Sequence, residues 1–284
     1  MRKMFQAVAL ALILSATMAG HAFAEDLGSQ LVDAVRKGDI QGASNATGKG
    51  ADVDYVDSAH RSVLSYAIEM ADVDMIRLLI NDGAETGDSM ATAAEFGNAG
   101  ILTMLYNEYG ADPDGQAPDG ATALIRAAGS GKAEMVRMLL DYGAGLDIAD
   151  ISGKTALLGA VWFSKEDCAR LLADAGADVN AAMNNGFTPL MAAASSAKPD
   201  MLLLILDNGA DVNLTGPEGR TALIYASLSG CGECVRRLID HGALADIADK
   251  QGKTALAVAK EHPKHADPNY ADIIRMLTDV GAAE

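Results

Sequence analysis

Cys231 and Cys234, in the phrase Cys-Gly-Glu-Cys, are the residues here best suited by type and spacing to covalent chemistry. Two thiols three residues apart can close a disulfide or exchange one, and a thiol at the start of a helix gives up its proton more readily. Cys231 falls at the turn into a predicted helix, and Cys234 at that helix's inward apolar position. Three readings follow: a buried small hydrophobe beside an exposed thiol, a structural 231–234 disulfide, or a thiol oxidoreductase. Against the last, the strand-and-helix setting of thioredoxin-like motifs is missing. His262 and His265, with Asp267 nearby, can offer two imidazoles to a metal, but Pro263 and Pro268 break the helical register that would aim them. Asp112, Asp114 and Asp119 around Gly115 faintly resemble a calcium loop, without the closing bidentate Glu. His60 and His241 fall near a turn and a helix end, where solvated or capping roles are commonest. No nucleophile elbow, phosphate loop or paired metalloprotease histidines occur. No catalytic residue, metal or cofactor is therefore expected.

The elements that must carry these residues are announced by a repeat. Gly-Ala recurs at Gly50, Gly83, Gly110, Gly143, Gly176, Gly209, Gly242 and Gly281, at intervals of 33, 27, 33, 33, 33, 33 and 39 residues. Four residues earlier stands an aliphatic in most units: Leu79, Leu139, Leu172, Ile205, Leu238 and Leu277. A Gly-x-Thr-x-Leu phrase comes later in the cycle, as at 120–124, 153–157, 186–190, 219–223 and 252–256. The Thr can cap a helix by taking up an orphaned backbone N–H. A short helix rich in small residues follows, such as Ala127-Ala128 or 192–194. A second helix then carries apolar residues at helical spacing: Met135, Val136, Leu139 and Leu140, or Met201, Leu202, Leu204 and Ile205. Gly ends it, because the chain must enter the left-handed region. One unit cannot bury its own apolar stripe, so neighbours must stack. Cys168 and Cys234 lie two units apart. Adjacent helices pack ~8–10 Å apart, so this pair exceeds the ~7 Å a disulfide tolerates.

The phrases GFTPLMAAA (186–194) and LLLILDNGADVN (202–213) closely resemble the ankyrin repeat, and the resemblance covers the whole chain after its leader. It implies an all-α solenoid of stacked helix-turn-helix units with β-hairpin-like fingers, about eight units with atypical caps. The His that often follows the Leu of the Thr-Pro-Leu phrase is replaced by Ser65, Ile125, Leu158, Met191, Ile224 and Ala257. That removes a polar tie, so apolar contact is expected to hold the stack. The first unit (about 25–57) reads as an N-terminal cap. The third (about 88–109) follows a shortened finger at 85–87. The last carries an insertion near 263–268 before a closing helix at 271–277.

The resemblance also implies a protein partner held in the concave groove made by fingers and first helices. The residues expected to line it are Tyr66, Glu69 and Met70, Arg126 and Ser130, Trp162 and Phe163, Ser195 and Ser196, and Tyr225 and Leu228. Of these, Tyr66, Met70, Arg126, Trp162, Phe163, Tyr225 and Leu228 are the candidate contacts, since Trp, Tyr and Arg dominate interface energetics. Trp162 and Phe163 have a second reading as core. Asp57, Asp150, Asn184 and Asp249 at the finger tips are expected to form an acidic rim that steers a basic partner. Exported ankyrin-like proteins include helpers in envelope oxidative-stress defence and others that resemble immunity proteins against toxins.

Arg2 and Lys3, the apolar run VALALIL (8–14) and Ala22-Phe23-Ala24 have the anatomy of a secretory signal, with cleavage expected after Ala24. A mature domain of 25–284 follows. The short, compact signal looks bacterial and points to the periplasm, with secretion as the alternative. Losing Arg2 and Lys3 takes the formal charge from −17 to −19. Such an acidic chain repels phosphate, so nucleic acid and anionic membrane surfaces are not expected partners, while a basic protein is. Solubility of an extended surface accounts for part of this charge. No later segment is long and apolar enough to span a bilayer, and a monomer is expected.

Overall fold

A computed structural model describes residues 27–263 and 267–282, and the leader expectation for 1–24 lies outside them. The chain divides into two compact units, one ending at Asp112 and the other starting at Pro113. The first holds three helix pairs: α1 (27–36) with α2 (Ile40–Gly48), α3 (Val63–Glu69) with α4 (Val73–Asn81), and α5 (Ser89–Phe96) with α6 (Ala99–Tyr109). The second holds five, beginning with α7 (Ala123–Ser130) and α8 (Ala133–Asp141), then α9 (Ala156–Trp162) and α10 (Glu166–Asp174). α11 (Pro189–Ser195) pairs with α12 (Pro199–Asp207), α13 (Ala222–Ser229) with α14 (Gly232–Asp240), and α15 (Ala255–Glu261) with α16 (Pro268–Asp279). The closing helix thus starts earlier than expected, because Asp267 accepts from Asn269 N–H and Pro268 fits the first helical turn. Within the second unit, first helices pack on first helices and second on second, giving two layers. No strand forms among the described residues, and the fold is all-α as expected.

The capping reading holds at every Thr. Thr122, Thr155, Thr188, Thr221 and Thr254 each accept from the N–H three residues on, and Ser62 does so in the second repeat. Each Gly of the Gly-Ala ladder has a positive φ. Between the layers lie Met135, Val136 and Leu139, or Leu202 and Ile205, at most 1 % exposed. The first helices meet through Ala127, Ala128, Ala192, Ala193 and Ala194, which let their backbones come close.

The fingers are held by turns rather than ladders. The N–H of Asp150 donates to the Lys154 carbonyl, and that of Gly153 to the Asp150 carbonyl. The same two bonds recur in the fingers starting at Asp57, Ala117, Met183, Gly216 and Asp249. Isolated antiparallel bridges appear at Val56–Ser62 and Gln116–Thr122. In the second unit, adjacent tips are linked by Ile151 N–H to the Asp119 carbonyl, Asn184 to Ser152, and Lys250 to Glu218. Pro217, at the corresponding position of the intervening finger, has no N–H to give.

The expectation that apolar contact alone holds the stack needs correcting. Asp54, Asp114, Asp147, Asn180 and Asn213 each accept, at 2.7–2.9 Å, from the backbone N–H 31 residues ahead. These side chains sit at the base of each finger beside the next repeat, so they supply the tie that the missing histidines do not.

Candidate functional site

In the second unit, the residue seven after each capping Thr faces outward on the first-helix layer. It is Gly129, Trp162, Ser195, Leu228 and Glu261 in successive repeats. Trp162 is 47 % exposed and Phe163 beside it 53 %. The ring of Trp162 meets that of Phe187 edge-on at 5.2 Å between centroids, and Phe187 meets Tyr225 at 5.4 Å in the same manner. A chain of three aromatic rings therefore crosses three repeats. Edge-to-face contacts of this kind add about 0.5–1.5 kcal/mol each beyond the area they bury.

Four positions after the capping Thr stand Gly159, Ala192 and Tyr225 in successive repeats. A Cβ on Gly159 would meet nothing nearer than Lys154 Cδ at 4.0 Å. A Cβ on Gly129 would lie 3.6 Å from the Phe163 ring, so Phe163 leans on the bare backbone of α7 and keeps its other side open. Phe187 itself is 8 % exposed and acts as the keystone between two more open rings. Tyr225 and Leu228 are half-buried, and burial pushes the Tyr225 phenol pKa up. Arg126, also half-buried, pairs with Asp119 at 2.8 Å. Ser195 and Ser196 are exposed.

Sequence reasoning missed Phe187 as a site residue. It fills the slot just before the capping Thr, which elsewhere holds Arg61, Ala121, Lys154, Arg220 and Lys253. One aromatic in a slot that is otherwise basic or small was the available signal. Lys154, Arg220 and Lys253 instead pair with Asp150, Asp249 and Glu261.

Two expectations fail at the fingers and in the first unit. Tyr66 is not presented to a partner: only 8 % exposed, it donates its hydroxyl to Asp57 and stacks its ring against Arg61, 4.2 Å from the centroid. Met70, in the same repeat, is exposed, and Glu69 pairs with Arg61. Nor do the finger-tip aspartates form a rim. Asp249 is buried, accepting from Gln251 and Lys253 N–H and pairing with Arg220. Asp150 accepts from the hydroxyl and N–H of Ser152 and from Lys154 N–H. Desolvation alone would raise both carboxyls, but these hydrogen bonds outweigh it and hold them below the ordinary 3.8. Asp57 is lowered chiefly by the Tyr66 hydroxyl. The carboxylates turn inward because the tight finger turn exposes N–H groups that only a side chain can reach. Asn184 is exposed and donates across to the Ile151 carbonyl.

The remaining candidates separate in space. Cys231 and Cys234 are joined as a disulfide, and Cys168 is free and buried. His262 stacks on Tyr270 at 4.3 Å, and His265 lies outside the described residues. Asp114 and Asp119 serve different partners, Gly145 N–H and Arg126. His241 contacts the Arg237 carbonyl at a helix end.

A family model described as ankyrin repeats (3 copies) matches residues 89–183 and 190–283. Among curated proteins, the chain is 30 % identical over 127 residues to the E3 ubiquitin-protein ligase hecd-1 of Caenorhabditis elegans. That match covers 43 % of this chain and 5 % of the ligase, whose activity is its own.

Proposed function

We propose, from the premise that this chain belongs to the ankyrin-repeat family, that it is a non-catalytic scaffold binding a protein through the aromatic row of its second unit. Ankyrin repeats mediate protein–protein contact, and the family is generally non-catalytic. The observation that carries the finer reading is the half-open pair Trp162 and Phe163, backed by Phe187 and Tyr225. Large rings held in place by packing lose little freedom when a partner covers them, so they are effective anchors. Leu228 and Arg126 flank this row. A basic partner is supported by the net charge of −17, not by the finger tips, whose carboxylates are already engaged. A periplasmic site of action and a monomeric state belong to the same reading, the former resting on the leader pattern.

The test uses the wild-type chain and a Trp162→Ala, Tyr225→Ala variant as bait in envelope extract, with captured proteins identified by mass spectrometry. A partner held by the wild type and lost from a variant that circular dichroism shows to be still folded supports the reading. Each anchor removed is expected to weaken binding about 30-fold, corresponding to ~2 kcal/mol. A partner held equally by both moves the contact off this row.

A further inference from the structure

We propose that Cys231 and Cys234 form a thiol–disulfide exchange site, with Cys231 as the sulfur that reacts with an external thiol and Cys234 as the sulfur that leaves and returns. The bridge spans three residues at the start of α14 and ties together nothing the helix does not already hold. Other second helices begin at the same position with Asp39, Asp72, Asn98, Lys132, Lys165, Lys198 or Asp267 and need no such link. A bridge the fold does not require is free to open.

The two sulfurs are unequal in a way that sets the direction of attack. Cys231 is half-buried and reachable, whereas Cys234 is 0 % exposed. Cys231 Sγ also accepts the Cys234 N–H at 3.2 Å, so it sits at the positive end of the helix. A thiolate on Cys231 meets that donor and the oriented backbone dipoles. The nearby negative charge of Glu233 is paired with Arg237 at 2.9 Å and reached by Arg236. The turn before Cys231 is held in place: a Cβ added at Gly230 would lie 3.1 Å from the Tyr270 ring, and the Tyr270 hydroxyl donates to the Leu228 carbonyl.

The reaction balances with a thiol as the only co-reactant. An external thiolate attacks Cys231 Sγ, the S–S bond breaks, and its electron pair leaves on Cys234 Sγ, which takes a proton from solvent. A second thiolate attacks the outer sulfur of the mixed disulfide and releases Cys231 as thiolate. Two thiols are thereby oxidised to one disulfide, and the cysteine pair is reduced to the dithiol. The reverse sequence oxidises the pair.

The experiment equilibrates the folded full chain with graded mixtures of reduced and oxidised glutathione, then traps thiols by alkylation and maps them by mass spectrometry. The expected result is a reversible transition confined to Cys231 and Cys234, complete without denaturant, with Cys168 unlabelled throughout. In Cys234→Ser, a mixed disulfide forms on Cys231 at least about tenfold faster than one forms on Cys234 in Cys231→Ser. Circular dichroism and melting confirm that both variants are folded. Reduction only on global unfolding, or equal reactivity of the two cysteines, overturns the proposal. Capture of a partner by the aromatic row is independent of either result.

Discussion

At the scale of single residues, one position in each repeat shows how the backbone chooses its side chain. The residue that turns the chain between paired helices has a positive φ, and Gly occupies it as Gly38, Gly97, Gly131 and Gly230. Ala71, Ser164 and Ala197 hold the same position with φ of 56°, 54° and 52°. A Cβ in this region costs about 1–2 kcal/mol, partly offset by the unfolded-state freedom a Gly would bring. Ala71→Gly, Ser164→Gly and Ala197→Gly are each expected to raise stability by about 0.5–1 kcal/mol, read as an upward shift in urea midpoint. His60, at a finger tip where other repeats carry Gly, has φ 58° and is expected to respond in the same way. The finger aspartates make the opposite case. Their carboxyls are held below 3.8, so the stability they give is fully present above that value and lost as pH falls through the lowered one. Asp150→Asn and Asp249→Asn should therefore lower the melting temperature at neutral pH and narrow the gap from wild type as pH drops below about 4.

The helix pairs were legible almost entirely from their punctuation. The Gly-Ala ladder marked the end of each second helix, and the capping Thr marked the start of the first helices in the second unit, because both are local backbone demands. Less was legible where a side chain reaches beyond its own element. The inter-repeat tie sits four residues after the Gly of the ladder in Asp54, Asp114, Asp147, Asn180 and Asn213, a phase plainly present in the sequence. Its meaning appears only when the finger base lies beside the next repeat. Phe187 was passed over for the same reason: its neighbours on the row, Trp162 and Tyr225, are 25 and 38 residues away in the chain. At this scale Phe187→Ala is a sharper probe than either neighbour. It opens a cavity and frees both flanking rings, so a loss of about 3–5 kcal/mol in stability is expected by thermal or urea unfolding. Phe187→Leu should retain most of the fold while relaxing the two rings, visible as a change in Trp162 fluorescence.

For the whole molecule, charge and fold respond to acid at different points. The sequence pI is about 4.6, above the range in which the finger carboxylates give up their charge. Near that pH the chain has no net charge to keep copies apart, yet its fingers remain stapled. Light scattering is expected to rise near pH 4.6 with the helical circular dichroism signal unchanged. A loss of the helical signal as scattering rises would show that folding, not charge, fails first. The division into two compact units is not read from the repeat, although the shortened finger at 85–87 is the irregularity that precedes their boundary.

The constant reach of 31 residues in the backbone ties also governs which changes of length the chain can absorb. Excising 33 residues from within the second unit rejoins an acceptor to a donor at the same spacing, as Asp114 would then find the N–H now offered by Asp178. Excising a few residues fewer breaks that phase. Between Asp114 and Leu244, tolerance to insertion and deletion is thus quantised: whole repeats keep the tie, and fractions of one break it.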